Sequence, residues 1–286
     1  MIIDNQKCTN CKLCAQVCLL HNFVEDSRGK VVYVSSAECI NCGHCVAACP
    51  FNAISSEDIT TIADESSEHI NYSQLLNFLR YRRSRREFTD QEVSDEIIHQ
   101  LLDAASTAPN ALNKQKVFYT FIKDKQIISK ISQAGLKSVK LMASLIKNPI
   151  IGSLMSLFAK GIYSEFKDLL PEIEIIIKES KAGRDVVLYN APCVIMVHTP
   201  KADSTGAENA IYAASNIALA AETLGLGTCA IGFVTEPARH DPTFKIIAGI
   251  PKNHTIHTTL ILGYPKFKYV QQVVRKVSED NYKIIK

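Results

Sequence analysis

Two runs of cysteine open the chain: Cys8, Cys11, Cys14 and Cys18, then Cys39, Cys42, Cys45 and Cys49, each spaced C-x2-C-x2-C-x3-C. A C-x2-C step turns the chain tightly enough for two sulfurs to reach one metal core, and a third cysteine at the same interval closes a three-sulfur face. Thiolates in this number and spacing are the ligand set of iron–sulfur clusters. In the two-cluster pattern the last cysteine of each run crosses over. Cys8, Cys11, Cys14 and Cys49 are therefore expected to hold one 4Fe–4S cluster, and Cys39, Cys42, Cys45 and Cys18 the other. Pro50 follows the last cysteine as that pattern asks, whereas Leu19 stands where the first run would have proline. Four thiolates would complete a zinc site and leave the third closely spaced cysteine of each run as surplus. A disulfide framework needs an oxidising compartment, and no signal-peptide pattern precedes Cys8, so a cytoplasmic protein is expected.

A second group of residues with chemical potential is Arg82, Ser84 and Arg86. In an extended segment they point to one side. Two guanidiniums and a hydroxyl on one side make a receptor for phosphate, because arginine offers a planar fork of donors matching phosphate oxygens. The competing reading is a solvated basic surface.

The elements that position these groups follow from length and patterning. With 286 residues, two domains are expected. Eight of the ten cysteines lie in the first 49 residues, which marks a small metal-stapled domain, 1–62 with its linker, joined to a larger one, 63–286. A net charge of +3 is too mild to argue for nucleic acid. Lys30 to Val34 reads as a short strand after a turn at Gly29, and the polar stretch 55–68 as the linker. In the larger domain, Leu75, Leu76 and Leu79 mark a helix running into the arginines. A second helix starts near Ser94 and ends before Pro109. Asn110 to Gln115 reads as a polar turn before a strand from Val117 to Ile122. A strand is expected at Cys193 to His198, a long alanine-rich helix at 207–224, and a strand or extended turn from Thr228 to Val234. Asp241-Pro242 opens a short helix, and Thr255 to Gly263 reads as a strand. Strands and helices without a regular βαβ repeat indicate a layered α+β fold. Neither a Rossmann fingerprint nor a phosphate loop with G-K-[ST] occurs. Residues 141–163 are apolar but interrupted by Lys147, Asn148, Pro149 and Lys160, too soon for a bilayer span. Ile150, Ile151, Leu154, Met155, Leu157, Phe158 and Ile162 are expected to make one helical face, packed on the core or on a dimer partner.

Residues 1 to about 55 resemble a bacterial ferredoxin carrying two 4Fe–4S clusters. The segments RRSRREF, APNALNKQ, LGLGTCAIGF and LGYPKFKYVQQVVRK resemble, in that order, landmarks of the nitroreductase family of FMN enzymes. That resemblance implies a homodimer in which Arg82, Ser84, Arg86 and Arg275 bind the FMN phosphate and the flavin's polar edge. Asn113 and Gln115 would contact the flavin or ribityl chain. The backbone at Ala230, Ile231 and Gly232 would lie along the ring with an N–H directed at N5. Lys116 and Val117 depart from the proline and tryptophan often found after the Asn-x-Gln pair, and Arg85 stands where an apolar residue is usual. Together the halves imply that clusters, fed by a low-potential donor such as a ferredoxin, supply FMN, which reduces a small organic acceptor: a nitroaromatic, quinone or activated alkene. The alternatives are a nonenzymatic electron carrier or redox sensor, and reductive dehalogenation on the same fold. Cys193 and Cys229 are expected to be buried core residues, His44 a surface residue, and His198, His240, His254 and His257 without catalytic role.

Overall fold

The computed structural model describes residues 1–35, 38–62, 70–158 and 160–285. It divides into two units, one holding Met1–His69 with Asn110–Gln115 and the other Ile70–Pro109 with Lys116–Lys286. Residues 63–68 of the expected linker lie outside the described residues. Its first residue, Ser55, belongs instead to a strand, because β1 (Ile2–Ile3) pairs antiparallel with β4 (Ile54–Ser55).

The first unit is built as an internal repeat around its cysteines. The short helices α1 (Leu13–Val17) and α2 (His44–Ala47) carry Cys14 and Cys45. Left-handed residues recur at matched places in the two halves: Asn10 and Asn41, Lys12 and Gly43, His21 and Asn52. Between the halves, β2 (Phe23–Glu25) and β3 (Val31–Tyr33) form the expected hairpin. Asp26 tightens its turn by accepting the N–H groups of Arg28 and Lys30. Among the described residues, Phe23, Val31, Cys45, Val46 and Ile54 form the buried cluster of this unit. So small a core leaves the fold dependent on a staple.

The second unit is a three-layer α+β arrangement, as expected. Its antiparallel sheet has the order β5 (Phe118–Ile122), β6 (Cys193–Pro200), β8 (His254–Gly263), β7 (Gly227–Ala230). Every residue of β6 except Pro200 is buried, because helices cover both faces of the sheet. Val194 and Met196 pack with Ile128 and Ile131 of α5 (Lys125–Lys147), Val234 of α10 (Gly232–His240) and Phe244 of α11 (Pro242–Ala248). Cys193, Ile195 and Val197 pack on the other face, with Leu101 of α4 (Asp95–Ser106) and the alanines of α9 (Gly206–Thr223). Cys193 and Cys229 are the buried core residues anticipated. Burial pushes the Cys193 thiol up to about 12, which makes it unreactive.

The helix starts follow their caps. α3 (Tyr72–Tyr81) opens with a capping box between Asn71 and Gln74. The side chains of Ser94 and Asp241 accept the N–H groups of Ile97 and Thr243 at the starts of α4 and α11.

Two expectations are corrected. The apolar positions from Ile150 to Ile162 do not share one helix: α5 ends at Lys147, Asn148 caps the new turn by accepting the N–H groups of Ile150 and Ile151, and α6 (Pro149–Phe158) holds those up to Phe158 while Ile162 falls in the next helix. Helices α7 (Lys160–Asp168) and α8 (Leu170–Lys181) follow. Ile150, Leu154, Leu157 and Phe158 are exposed and do not pack on this chain's core. No single described helix is long and apolar enough to cross a membrane. The second correction concerns Thr228 to Val234, where the strand stops at Ala230. Ile231 turns the chain by donating its N–H to Thr259 and accepting that of Thr235, and α10 follows.

Candidate functional site

In the first unit the eight cysteines surround two small hollows. Cys8, Cys11, Cys14 and Cys49 line one, with Ile3, Val31 and Ile54. Cys18, Cys39, Cys42 and Cys45 line the other, with Phe23 and Tyr33. The fourth cysteine of each run thus stands at the other run's hollow. Burial pushes the Cys45 thiol up against the pull of the Val46 N–H, and Cys42, Cys18 and Cys39 raise it further. Burial does the same to Cys14, opposed by backbone amides and reinforced by Cys11 and Cys8. Such a ring holds its thiolates only with a cationic core at its centre. The sulfurs that cross over also accept amide protons: Ala53 N–H donates to Cys49 at 3.2 Å and Asn22 N–H to Cys18 at 3.4 Å. An all-thiolate donor set with N–H groups on its sulfurs fits an iron–sulfur core. His44, at the rim of the second hollow, is exposed.

In the second unit the segment after α3 runs extended along the edge of the sheet. Ser84 bridges Thr228 in the parallel sense, the Arg85 N–H donates to Thr228 O at 2.9 Å, and Phe88 bridges Pro265. The extended geometry sends Arg85 and Phe88 into the core and leaves Ser84 and Arg86 exposed, with Arg82 half-buried at the helix end. Gly227 makes the close approach possible: a Cβ there would lie 2.5 Å from Arg85 Cγ. Arg85, the residue whose role the sequence left open, ion-pairs with Glu222, donates to the Phe267 carbonyl at 3.1 Å and lies 3.6 Å from the ring centre of Tyr269.

Beside this edge the chain leaves β7 with Ala230 and Gly232 exposed and Ile231 buried. The Ile231 N–H is occupied by Thr259 O, and the amides of Val234 and Thr235 by Ile231 O, so the amides available there are those of Gly232 and Phe233 at the start of α10. Arg86 places its guanidinium 5.7 Å from the ring centre of Tyr189. Tyr189 was not anticipated. It is left-handed, like Asn190, within a loop gathered by Asp185, whose carboxylate accepts from Ser132 and from the amides of Val187, Leu188 and Asn190. The only sequence sign of that loop is an Asn before Ala191-Pro192.

Not every expected site residue joins this edge. Arg275 is exposed in the tail, and among the described residues no hydrogen bond or ion pair ties it to Arg82, Ser84 or Arg86. Asn113 and Gln115 fall in the first unit. There Asn113 Nδ2 donates to the carbonyls of Ile40 and Asn41, and Gln115 Nε2 donates to Asn113 Oδ1. A cavity of about 640 Å³ in the second unit, lined by Lys125, Ser132, Arg184 and Asp185 among others, includes none of the expected site residues.

Three histidines of the sheet make contacts that the sequence did not show. Register brings His198 on β6 beside His254 on β8, with Nδ1 to Nδ1 at 2.8 Å. Thr120 meets His198 Nε2 at 3.0 Å, and Thr199 meets His257 Nε2 at 2.9 Å. Burial, with His254 and His257 close by, pushes His198 down to about 4.

The family model described as "Nitroreductase family" matches residues 79–264. This chain belongs to the nitroreductase family. A second model, described as "4Fe-4S dicluster domain", matches residues 1–50 ahead of the nitroreductase domain. An Archaeoglobus fulgidus protein named as an NADH dehydrogenase/NAD(P)H nitroreductase is 26% identical over 193 residues, covering 68% of this chain and 86% of its own. The solved nitroreductase with bound FMN from Bacteroides fragilis has a TM-score of 0.53 at 17% identity, over 74% of this chain and 99% of that one. An iodotyrosine deiodinase solved with FMN and 3-iodo-L-tyrosine has the same TM-score at 18% identity, over 73% of this chain and all of that one. At such identities the two structures establish the nitroreductase fold.

Proposed function

We propose that this chain is an FMN-dependent oxidoreductase that carries two 4Fe–4S clusters and reduces a small organic acceptor such as a nitroaromatic, quinone or activated alkene. The observation that carries the reading is the pair of four-cysteine hollows on the same chain as a nitroreductase domain. When bound, the clusters would supply single electrons, and the flavin would supply the hydride or electrons that reach the acceptor.

The chain's own part is binding and orientation. The cysteines would hold the clusters in the crossed sets, and the Ala53 and Asn22 amides would favour the reduced, more negative cores. Ser84 and Arg86, turned outward because Arg85 turns inward, would hold the FMN phosphate together with Arg82 and Arg275. The Gly232 and Phe233 amides at the start of α10, next to Ala230 and Ile231, would direct N–H groups at the flavin edge. The exposed apolar side chains of α6 suit an aromatic acceptor better than a zwitterion. A homodimer in the cytoplasm, served by a low-potential donor such as a ferredoxin, completes the reading.

Anaerobic purification tests it. The expected result is about eight iron per chain, one FMN, and return of the oxidised absorbance of both chromophores when an acceptor is added to the reduced protein. An iodinated phenol belongs in the acceptor screen, because the deiodinase shares the fold. Absence of flavin would defeat the proposal. Turnover of no acceptor would leave an electron carrier.

A further inference from the structure

The two cluster loops align position for position, Cys8-Thr9-Asn10-Cys11 against Cys39-Ile40-Asn41-Cys42, with the asparagine left-handed in both. They are held differently. In the first loop Asn10 grips the hairpin turn, donating to Gly29 O and accepting from Val31 N–H, both at 2.8 Å. In the second loop, among the described residues, the Asn41 side chain makes a longer bond of 3.3 Å to the exposed carboxylate of Asp58. Its firm tie comes from far along the chain. Asn113 donates one amide nitrogen to the consecutive carbonyls of Ile40 and Asn41, each at 2.9 Å.

The orientation of the Asn113 amide is fixed by its neighbours. Both loop partners are carbonyls, which only accept, so the nitrogen must face them. Gln115 Nε2 donates to the opposite end, Asn113 Oδ1, at 2.8 Å, and the Gln115 N–H donates back to Asn110 Oδ1 at 3.2 Å. Leu112, Asn113 and Gln115 are all left-handed, a conformation that persists only where its surroundings impose it. Residues 110–115 lie within the stretch matched to the nitroreductase family, yet they pack as part of the first unit.

In a trans peptide the N–H points opposite to the C=O. The carbonyls that Asn113 holds belong to the peptides whose N–H groups are those of Asn41 and Cys42. A donor on a carbonyl also polarises its peptide and strengthens the dipole at the far end. We propose that Asn113 is a positioning residue for the cluster of Cys18, Cys39, Cys42 and Cys45. It holds the Ile40–Cys42 peptides so that their N–H dipoles favour the reduced state of that cluster, and it leaves the other cluster untouched. The proposal rests on the reading that each hollow holds a cluster.

The experiment is an EPR-monitored redox titration of the complete, cofactor-loaded protein, with iron and FMN counts on every sample. Asn113→Asp keeps the shape and removes the donor. It is expected to make electron uptake at one cluster about tenfold less favourable, a downward shift of about 59 mV for a one-electron couple. The other cluster and the FMN content should not change. Asn10→Asp, the mirror change, should shift the other cluster instead. Gln115→Leu, which removes only the orienting bond, should give a smaller shift at the same cluster as Asn113→Asp. Loss of that single cluster in Asn113→Asp would also support the assignment. Unchanged potentials with weakened FMN binding would make Asn113 a flavin contact and overturn the proposal, as would equal shifts at both clusters. A parent protein without two clusters would fail at the iron count, and the cofactor reading would fall with it.

Discussion

The guanidinium of Arg85 lies 3.6 Å from the carboxylate of Glu222, and both side chains are more than nine-tenths buried. Burial raises the Glu222 carboxyl despite the opposing pull of Arg85 and Arg82, so the pair offsets a desolvation cost rather than adding net stability. Its effect is directional: it turns Arg85 inward and thereby presents Ser84 and Arg86 outward. Arg85→Ala would strand Glu222 and release the tail held at Phe267 and Tyr269. Urea unfolding is expected to show a loss of about 3–5 kcal/mol, and the double change Arg85→Met with Glu222→Leu should recover most of it. A single variant as stable as the parent would show that the pair does not organise this edge.

Arg86 is exposed, so Arg86→Ala should leave stability unchanged while weakening FMN. A charge-assisted contact to phosphate contributes about 1.5–3 kcal/mol, which corresponds to roughly tenfold to hundredfold in affinity. Fluorescence titration of flavin-depleted protein measures it. An unchanged dissociation constant would remove Arg86 from the site.

How much of this was legible beforehand divides along physical lines. Cysteine spacing reports which sulfurs can share a core, and the hollows match the crossed sets read from it. Caps such as Ser94 and Asp241 act within a few residues, so their helices could be read directly. The alternation of Arg82, Ser84 and Arg86 was visible, but the buried partner of Arg85 was not, because Glu222 lies far along the chain. The same holds for the His198–His254 pair, which depends on strand register, and for Asn113, whose contact with Ile40 spans 73 positions. The division of Ile150 to Ile162 between α6 and α7 was missed because apolar spacing was read as one continuous helix.

The crossed arrangement predicts a paired result in the first unit. Cys49→Ala removes the sulfur that completes the hollow of Cys8, Cys11 and Cys14, although it belongs to the other run. Iron content should fall from about eight to about four per chain, with one cluster's EPR signal retained. Cys18→Ala should remove the complementary signal. Retention of both signals in either variant would exclude the crossing.

His198 makes the sheet's stability depend on pH. Its folded value of about 4 lies below the ordinary 6.5, so the unfolded state binds more protons between those values. Stability from this residue is therefore complete above about pH 6.5 and declines as pH falls toward 4, by about 3 kcal/mol in all. The groups facing it are His254, Thr120 and, nearby, His257, none of which can neutralise an added charge. Between pH 7.5 and 5.5 the parent should lose about 1.3 kcal/mol more in urea unfolding than His198→Gln does. Parallel pH profiles for the two proteins would exclude His198 as the titrating group.

The electron route follows from carrying both cofactor types on one chain. A nicotinamide would have to stack on the flavin where the acceptor also binds, and the chain has no Rossmann fingerprint to hold one separately. Cluster potentials span roughly −700 to +450 mV, with ferredoxin-type centres at the low end, which makes transfer toward a flavin downhill. Electrons are therefore expected to enter at the clusters from a low-potential protein donor. Cys11→Ala and Cys42→Ala each disturb one hollow and leave Ser84, Arg86 and the α10 turn intact. Variants that retain FMN should lose activity with a reduced ferredoxin-type donor while keeping whatever activity the parent shows with NADH. Equal loss with both donors would point to collapse of the flavin site. No loss with either would leave the clusters a purely structural part, as staples of a unit whose own core is too small.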